Sequence, residues 1–186
     1  WQFIPSTGKS YGLDITSEID ERCDLEKSTR AACKYLKNSK DKFGSWTMAA
    51  AAYNRGDGGL QNAITDQNCT NYWDLWLNSE TSRYVYRIIA FKLMFDNPRI
   101  YGIKLCPAQM YQPVPTTDFA VTASIPDMVK FAQEHNVTYR ELRMLNPGLR
   151  GGKLTVSGKS YRLKVPVTPK AAYNSLFSHC TNPFLV

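Results

Sequence analysis

The sequence predicts a mainly α-helical domain followed by a small β-α-α-β module. Three observations carry this. Apolar residues recur at helical spacing from Asp24 to Phe43 and again from about Ser79 to Asp96. A run of four alanines, Ala49-Ala50-Ala51-Ala52, suits a helix that its neighbours approach closely. Composition then shifts after Gln112-Pro113-Val114-Pro115-Thr116-Thr117, where two strand-like stretches bracket two short helical ones. The expected organisation is a helical domain over 1–110, a linker over 111–117, a module over 118–166 and a C-terminal tail over 167–186.

The chain opens on Trp1-Gln2-Phe3-Ile4-Pro5-Ser6-Thr7-Gly8, two aromatics around a glutamine followed by turn chemistry. Aromatic rings at a chain end need a surface to pack on, so this opening reads as the interior of a folded site. In the first long helix Leu25, Thr29, Ala32, Leu36 and Phe43 fall near one face. Lys27, Arg30, Lys34 and Lys37 fall largely outside it. Asp24 is placed to cap it and Gly44 to stop it, while Cys33 reads as a small buried hydrophobe. Ser45 can cap a second helix through Met48 and the alanine run. Tyr53 to Gly59 reads as a glycine-rich loop and Leu60 to Thr65 as one or two helical turns. After the aromatic stretch Asn71 to Trp76 comes the second long helix. Glu80 lies in its first turn, Tyr84, Ile88, Phe91 and Phe95 on one face with Val85 and Ile89 widening it, and Asn97-Pro98 at its end. In the module Asp118 to Val121 and Ser160 to Val165 read as strands, and Ile125 to His135 and Tyr139 to Leu145 as helices. Asn146-Pro147-Gly148 is a turn. About fifty residues are marginal as an independent core. Beyond Pro166 periodicity is weak, although Phe177, Phe184 and Leu185 favour docking of the tail.

Composition bounds the function. A chain of 186 residues with 43% hydrophobic and 21% charged residues can bury a real core, which argues against disorder. No apolar stretch approaches membrane-span length. The net charge of +7 draws the chain to polyanions, but with no run of five or six like charges it reads as a solvated basic surface. Five cysteines without CxxC spacing and two distant histidines, His135 and His179, give no zinc signature. No metal or other cofactor is expected. An exported location would permit up to two disulfides, with one thiol left over and no pairing assigned.

The chemistry resides in polar groups set among aromatics. Gln2 lies between Trp1 and Phe3, Tyr53 and Asn54 end the alanine-rich helix, and Glu80 and Tyr84 lie one turn apart. Sugar C–H faces stack on rings, and hydroxyls and acetamides seek fixed donors and acceptors, so such a set suits a carbohydrate groove. Singly, Tyr53 and Tyr84 fit ordinary core positions equally well. Glu18, Asp20 and Glu21 read as surface or turn carboxylates.

Taken in order, the opening motif, then Ala52-Tyr53-Asn54-Arg55-Gly56, then Glu80-Thr81-Ser82-Arg83-Tyr84-Val85, resemble the soluble lytic transglycosylase family, nearest its membrane-bound murein transglycosylase D group. Asp20-Glu21-Arg22, Lys27-Ser28-Thr29 and Asn97-Pro98 add to the likeness, which covers about 1–102. The resemblance implies a goose-type lysozyme-like fold. It also implies non-hydrolytic cleavage of peptidoglycan between N-acetylmuramic acid and N-acetylglucosamine, leaving 1,6-anhydromuramoyl ends. In that family one glutamic acid, raised in pKa by an apolar groove, acts first as acid and then as base, without the second carboxylate of ordinary glycosidases. That glutamate belongs to a Glu-Ser motif on a helix ahead of the Trp-Gln motif. The resemblance therefore implies no catalytic residue within this chain, and an inactive fragment. It assigns Gln2 and Asn54 to sugar polar groups, Tyr53 to a hydrogen bond near the acid, and Glu80 and Tyr84 to the groove lining. Phe3 is either a stacking wall or a core residue.

The second unit resembles a LysM module through Phe119-Ala120-Val121, Asp127 to Ala132, His135-Asn136-Val137, Leu142, Leu145-Asn146-Pro147 and Tyr161 to Pro166. LysM modules bind N-acetylglucosamine glycans through two loops, here Ala123 to Asp127 and Asn146 to Gly151. The usual Gly-Asp-Thr-Leu is replaced by Ser124-Ile125-Pro126-Asp127-Met128, so glycan binding and a bracing role both stay open. The expected partner is the peptidoglycan glycan strand, the expected place the exported bacterial cell envelope, and any membrane anchor would lie ahead of Trp1. The alternative is a peptidoglycan-binding protein without catalysis. A nucleic-acid binder ranks last, since no motif supports it.

Overall fold

The computed structural model describes residues 1–104, 106, 110 and 113–167. In chain order its helices are α1 (Pro5–Ser10), α2 (Leu25–Phe43), α3 (Trp46–Arg55), α4 (Asp57–Gln67), α5 (Ser79–Asp96), α6 (Met128–Glu134) and α7 (Tyr139–Leu145); its strands are β1 (Thr116–Val121) and β2 (Tyr161–Pro166). The fold is mainly helical with one small two-stranded sheet, as the hydrophobic periodicity and the β-α-α-β pattern predict. Among the described residues no helix is long and apolar enough to cross a membrane. The chain divides into two compact units. One joins Trp1–Ser28 to the described residues beyond position 106, and the other is Thr29–Cys106.

In the first unit β1 and β2 pair antiparallel with Phe119 opposite Leu163. Asp127 caps α6 by accepting the Val129 and Lys130 amides. Thr138 and Glu141 form a reciprocal capping box on α7. Met128, Leu142, Leu149, Leu154 and Leu163 are all but fully buried in one core. Ile19, from the N-terminal segment, belongs to that same core.

The segment that delivers Ile19 is a tight turn. The Thr16 amide donates to the Ile19 carbonyl at 2.7 Å, and Thr16 Oγ1 accepts from the Glu18 and Ile19 amides at 3.1 Å each. Asp20 follows, only 1% exposed. Its carboxylate accepts Arg22 Nε at 2.9 Å and Arg22 Nη2 at 2.7 Å, and pairs with Arg150 Nη2 at 2.8 Å. Glu21, also buried, pairs with Lys27 and accepts the Asp14 amide. The sequence reads these two as surface or turn carboxylates; they do sit at a short 3-10 turn, Glu21–Cys23, but buried rather than at the surface. Flanking arginine and lysine side chains make their burial tolerable, which a polar stretch read alone does not reveal.

In the second unit the small side chains of Ala51 and Ala52 let α4 and α5 close on α3. The Tyr35 hydroxyl lies 2.6 Å from Asp57 Oδ1 and 3.2 Å from the Ala52 carbonyl. Asp24 and Ser45 hold the cap positions expected of them: Asp24 Oδ1 accepts the Lys27 amide and Ser45 Oγ the Met48 amide.

Four expectations need correction. The stretch 53–59 is not a loop: α3 runs to Arg55 and α4 opens at Asp57, joined by Gly56 alone at φ 82°. Two glycines in the first turn of α4 weaken a helix. The full burial of Leu60 and the Arg55 Nε–H donating to the Gly59 carbonyl hold it. Leu25 lies exposed, the buried face of α2 instead passing through Ser28, Ala31, Ala32, Tyr35 and Ser39. Cys33 is exposed rather than buried. On α5 only Val85 of the expected face is buried, with Ile88, Phe91 and Phe95 left exposed. Among the described residues Cys23, Cys33, Cys69 and Cys106 form no disulfide. Most of the expected tail, with Phe177, Cys180, Phe184 and Leu185, and residues 111 and 112 of the expected linker lie outside the described residues.

Hydrogen bonds from Arg22, and the charges of Arg22 and Arg150, hold the Asp20 carboxyl below its ordinary value. The unfolded chain therefore binds more protons than the native one in acid. The Asp20 contribution is present above about pH 4 and is lost as pH falls through the depressed native value. Asp20→Asn is expected to cost roughly 3 kcal/mol at pH 7, because it strips two guanidinium groups of their partner. It should also flatten the acid limb of stability. Urea unfolding of both proteins between pH 7 and pH 2.5 checks this, and parallel pH profiles would contradict it.

Candidate functional site

The C-terminal turn of α3 meets the N-terminal turn of α5, and four of the six residues singled out from the sequence come together there. Asn78 starts α5 by accepting the Thr81 amide at 2.9 Å. This fixes Thr81, which is 1% exposed, so that its hydroxyl donates to Asn54 Oδ1 at 2.8 Å. With its oxygen engaged, the Asn54 amide points Nδ2 at Glu80 Oε1, 3.4 Å away. The Asn54 side chain is thereby held in one orientation between a buried hydroxyl and an exposed carboxylate. Behind it, the Tyr72 hydroxyl donates to the Ser82 carbonyl at 2.8 Å and secures the first turn of α5.

Tyr53 and Tyr84 lie partly buried beside this ladder. The Tyr53 ring meets Tyr35 edge-on at 5.2 Å. Burial first, and then the neighbouring Tyr84 phenol, push Tyr53 up from 10.0 to about 12. Burial raises Tyr84 as well. Both phenols stay protonated throughout the physiological range and serve as fixed donors.

Gln2 and Phe3 belong to the first unit. Gln2 is exposed and adopts φ 57°, a left-handed conformation that costs a non-glycine residue on the order of 1 kcal/mol. Phe3 is buried, its ring stacked on Tyr11 with centroids 6.4 Å apart and its carbonyl accepting from Arg22 Nη1 at 2.9 Å.

Sequence reading missed Thr81 and Tyr35. A signal for Thr81 existed: it precedes buried Val85 by one turn and so shares the inward face of α5. Tyr35 carries no local signal, because what it meets, Asp57 and the Tyr53 ring, lies far along the chain.

The chain's carboxylates divide by environment. Glu80 is exposed. Burial pushes Asp14 up, but hydrogen bonds from Lys159 and Tyr161 outweigh it and leave the group lowered. Glu18 is lowered, chiefly by the Thr155 amide. Asp14, Glu18 and Asp20 are thus committed to the ionised state. The α3–α5 site can hold polar ligand groups with two phenols, one oriented amide and one carboxylate acceptor.

Between pH 10 and 12 the native chain keeps its Tyr53 proton while the unfolded chain loses it, so stability falls as pH rises through that window. Phenolate absorbance during alkaline titration, with circular dichroism confirming that the chain stays folded, should show one ionisation near 12 that disappears in Tyr53→Phe. A Tyr53 phenolate forming near 10 in the folded protein would contradict the buried placement.

Residues 1–75 match the family described as Transglycosylase SLT domain. Residues 117–169 match the Soluble lytic transglycosylase C-terminal LysM-like domain. The chain is 35% identical over 172 residues to Membrane-bound lytic murein transglycosylase D of Escherichia coli (strain K12), an alignment covering 87% of the chain and 36% of that protein. The protein of the same name from Escherichia coli O6:H1 gives the same figures. The chain therefore spans about a third of the length of these relatives. By these matches and by its fold, the chain belongs to the lytic transglycosylase family, with an SLT domain followed by a LysM-like C-terminal domain.

Proposed function

We propose that this chain grips peptidoglycan glycan strands as the substrate-holding part of a lytic transglycosylase. The reaction it serves breaks the bond between N-acetylmuramic acid and N-acetylglucosamine, leaving 1,6-anhydromuramoyl ends. One observation carries the reading: the Thr81–Asn54–Glu80 ladder beside two neutral phenols, Tyr53 and Tyr84. An acetamide and sugar hydroxyls need fixed donors and acceptors next to an aromatic wall, and this set supplies them without a charged donor. Gln2, in the other unit, is an exposed amide of the same kind, whereas Phe3 is buried and serves as a core residue of its segment. The relatives are named as membrane-bound murein transglycosylases, which supports work in the bacterial cell envelope.

Asp14, Glu18, Asp20 and Glu80 do not have the environment of the reaction's acid. A general acid at neutral pH needs a carboxyl raised by apolar burial. Asp14, Glu18 and Asp20 are lowered, and Glu80 stands in water. Residues 1–186 by themselves then bind glycan without cutting it, and a longer chain bearing the Glu-Ser helix expected ahead of Trp1 cuts it. The same environments favour a second reading, a peptidoglycan-binding protein without catalysis, and the longer chain discriminates between the two.

Incubated with purified peptidoglycan, residues 1–186 are expected to co-sediment with it and to release no anhydro-muropeptides by mass spectrometry. Asn54→Ala and Tyr53→Phe should each weaken binding roughly tenfold, the worth of one hydrogen bond to a polar ligand. Release of anhydro-products by residues 1–186 would overturn the assignment of the acid. Unchanged binding in both variants would overturn the site.

A further inference from the structure

The Asn146–Gly151 loop, one of the two that the LysM resemblance gives to glycan, already has an occupant. Ile19 forms an isolated antiparallel bridge with Leu149. The Asp20 amide donates to the Gly148 carbonyl at 2.7 Å, and the Arg150 amide donates to the Glu18 carbonyl at 2.8 Å. Two main-chain groups of this loop, the Gly148 carbonyl and the Arg150 amide, are thus spent on residues 18–20. The approach is close: a Cβ on Gly148 would stand 3.1 Å from the Asp20 carbonyl oxygen, so any other residue there requires the segment to give by a few tenths of an ångström.

Side chains extend the grip on both sides. The Glu18 carboxylate accepts the Thr155 amide at 2.6 Å and the Thr155 hydroxyl at 3.1 Å. Asp14 pairs with Lys159 and accepts the Tyr161 hydroxyl at 2.7 Å. Lys164 pairs with Glu26 at 2.6 Å. Arg150 shares the buried Asp20 carboxylate with Arg22, and Arg22 holds the Phe3 carbonyl at 2.9 Å. A continuous path of hydrogen bonds therefore runs from the module's loop to the backbone next to Gln2, at strained φ.

We propose that the LysM-like module acts as an intramolecular clamp: its Asn146–Gly151 loop grips residues 18–20 in place of glycan and, through Asp20 and Arg22, positions the Gln2–Phe3 backbone. Ile19 joins the module's core in the same contact. Arg150, Asp20 and Arg22 are positioning residues. The meaning of that positioning for substrate rests on the glycan reading of Gln2; the clamp itself does not.

The test uses residues 1–186 labelled with ¹⁵N, with chitotetraose as the probe. Amide hydrogen exchange at Asp20 and Arg150 is expected to be as slow as at buried Leu142, to within about tenfold. In Gly148→Ala those two amides should speed up by about tenfold or more and the Phe3 amide resonance should shift, while Leu142 stays protected. Chitotetraose should leave the amides of 146–151 unmoved. Exchange of Asp20 and Arg150 at the rate of free amides in the unsubstituted chain overturns the clamp, whether or not Gly148→Ala folds. So does a saturable chitotetraose shift within 146–151. Shifts at Asn54 and Glu80 in the same titration report separately on the glycan site, and their absence sinks that reading while leaving the clamp standing.

Discussion

Two guanidinium groups share one buried carboxylate, and the first compact unit depends on that sharing. A lone Asp20 so far from water would be costly, and Arg22 meets both of its oxygens in a bidentate pair. Arg150, from a stretch remote in sequence, adds a second guanidinium on Oδ2 and ties that pair to the module. Ile19 can then enter the apolar core one residue away, between the polar anchors at Glu18 and Asp20. Polar satisfaction and apolar burial thus act on the same few residues, and each makes the other tolerable. A module of about fifty residues has little core of its own to spare, so a borrowed isoleucine is a sizeable fraction of what it buries.

The α3–α5 site rests on a different constraint, the small size of alanine. Ala51 and Ala52 bring the backbone of α3 close enough to α5 for a short side chain such as Asn54 to reach Thr81 and Glu80. The Asn78 cap sets where α5 begins, and one residue of slippage there would turn Thr81 away from Asn54. The phenols owe their high pKa to the same close packing, since partial burial disfavours a phenolate.

Local signals were legible in the sequence. Asp24 and Ser45 as caps, the alanine run as a packed helix, and the paired strands of the module follow from short-range chemistry. So did the candidacy of Tyr53, Asn54, Glu80 and Tyr84, because their motifs keep a recognisable order. Long-range partners were not legible. Asp20 and Glu21 look like solvent carboxylates until Arg150, Arg22 and Lys27 are seen around them. Gly56 to Gly59 looks like a loop because propensity argues against a helix there, and the tertiary burial of Leu60 overrides it. The face of α5 was misjudged for the opposite reason. Its periodicity is genuine, but periodicity cannot say which apolar residues find a neighbour, and Phe91 and Phe95 are exposed.

The contact of Glu18 with Thr155 joins positions 137 apart in the chain. Everything from Thr29 to Cys106 is strung between the two halves it unites. Closing so long a stretch is entropically slow, and the reward in buried surface arrives only once closure is complete. Pairing of residues 14–20 with 148–161 therefore waits on a long closure, whereas the helices between, held by shorter-range contacts, can form without it.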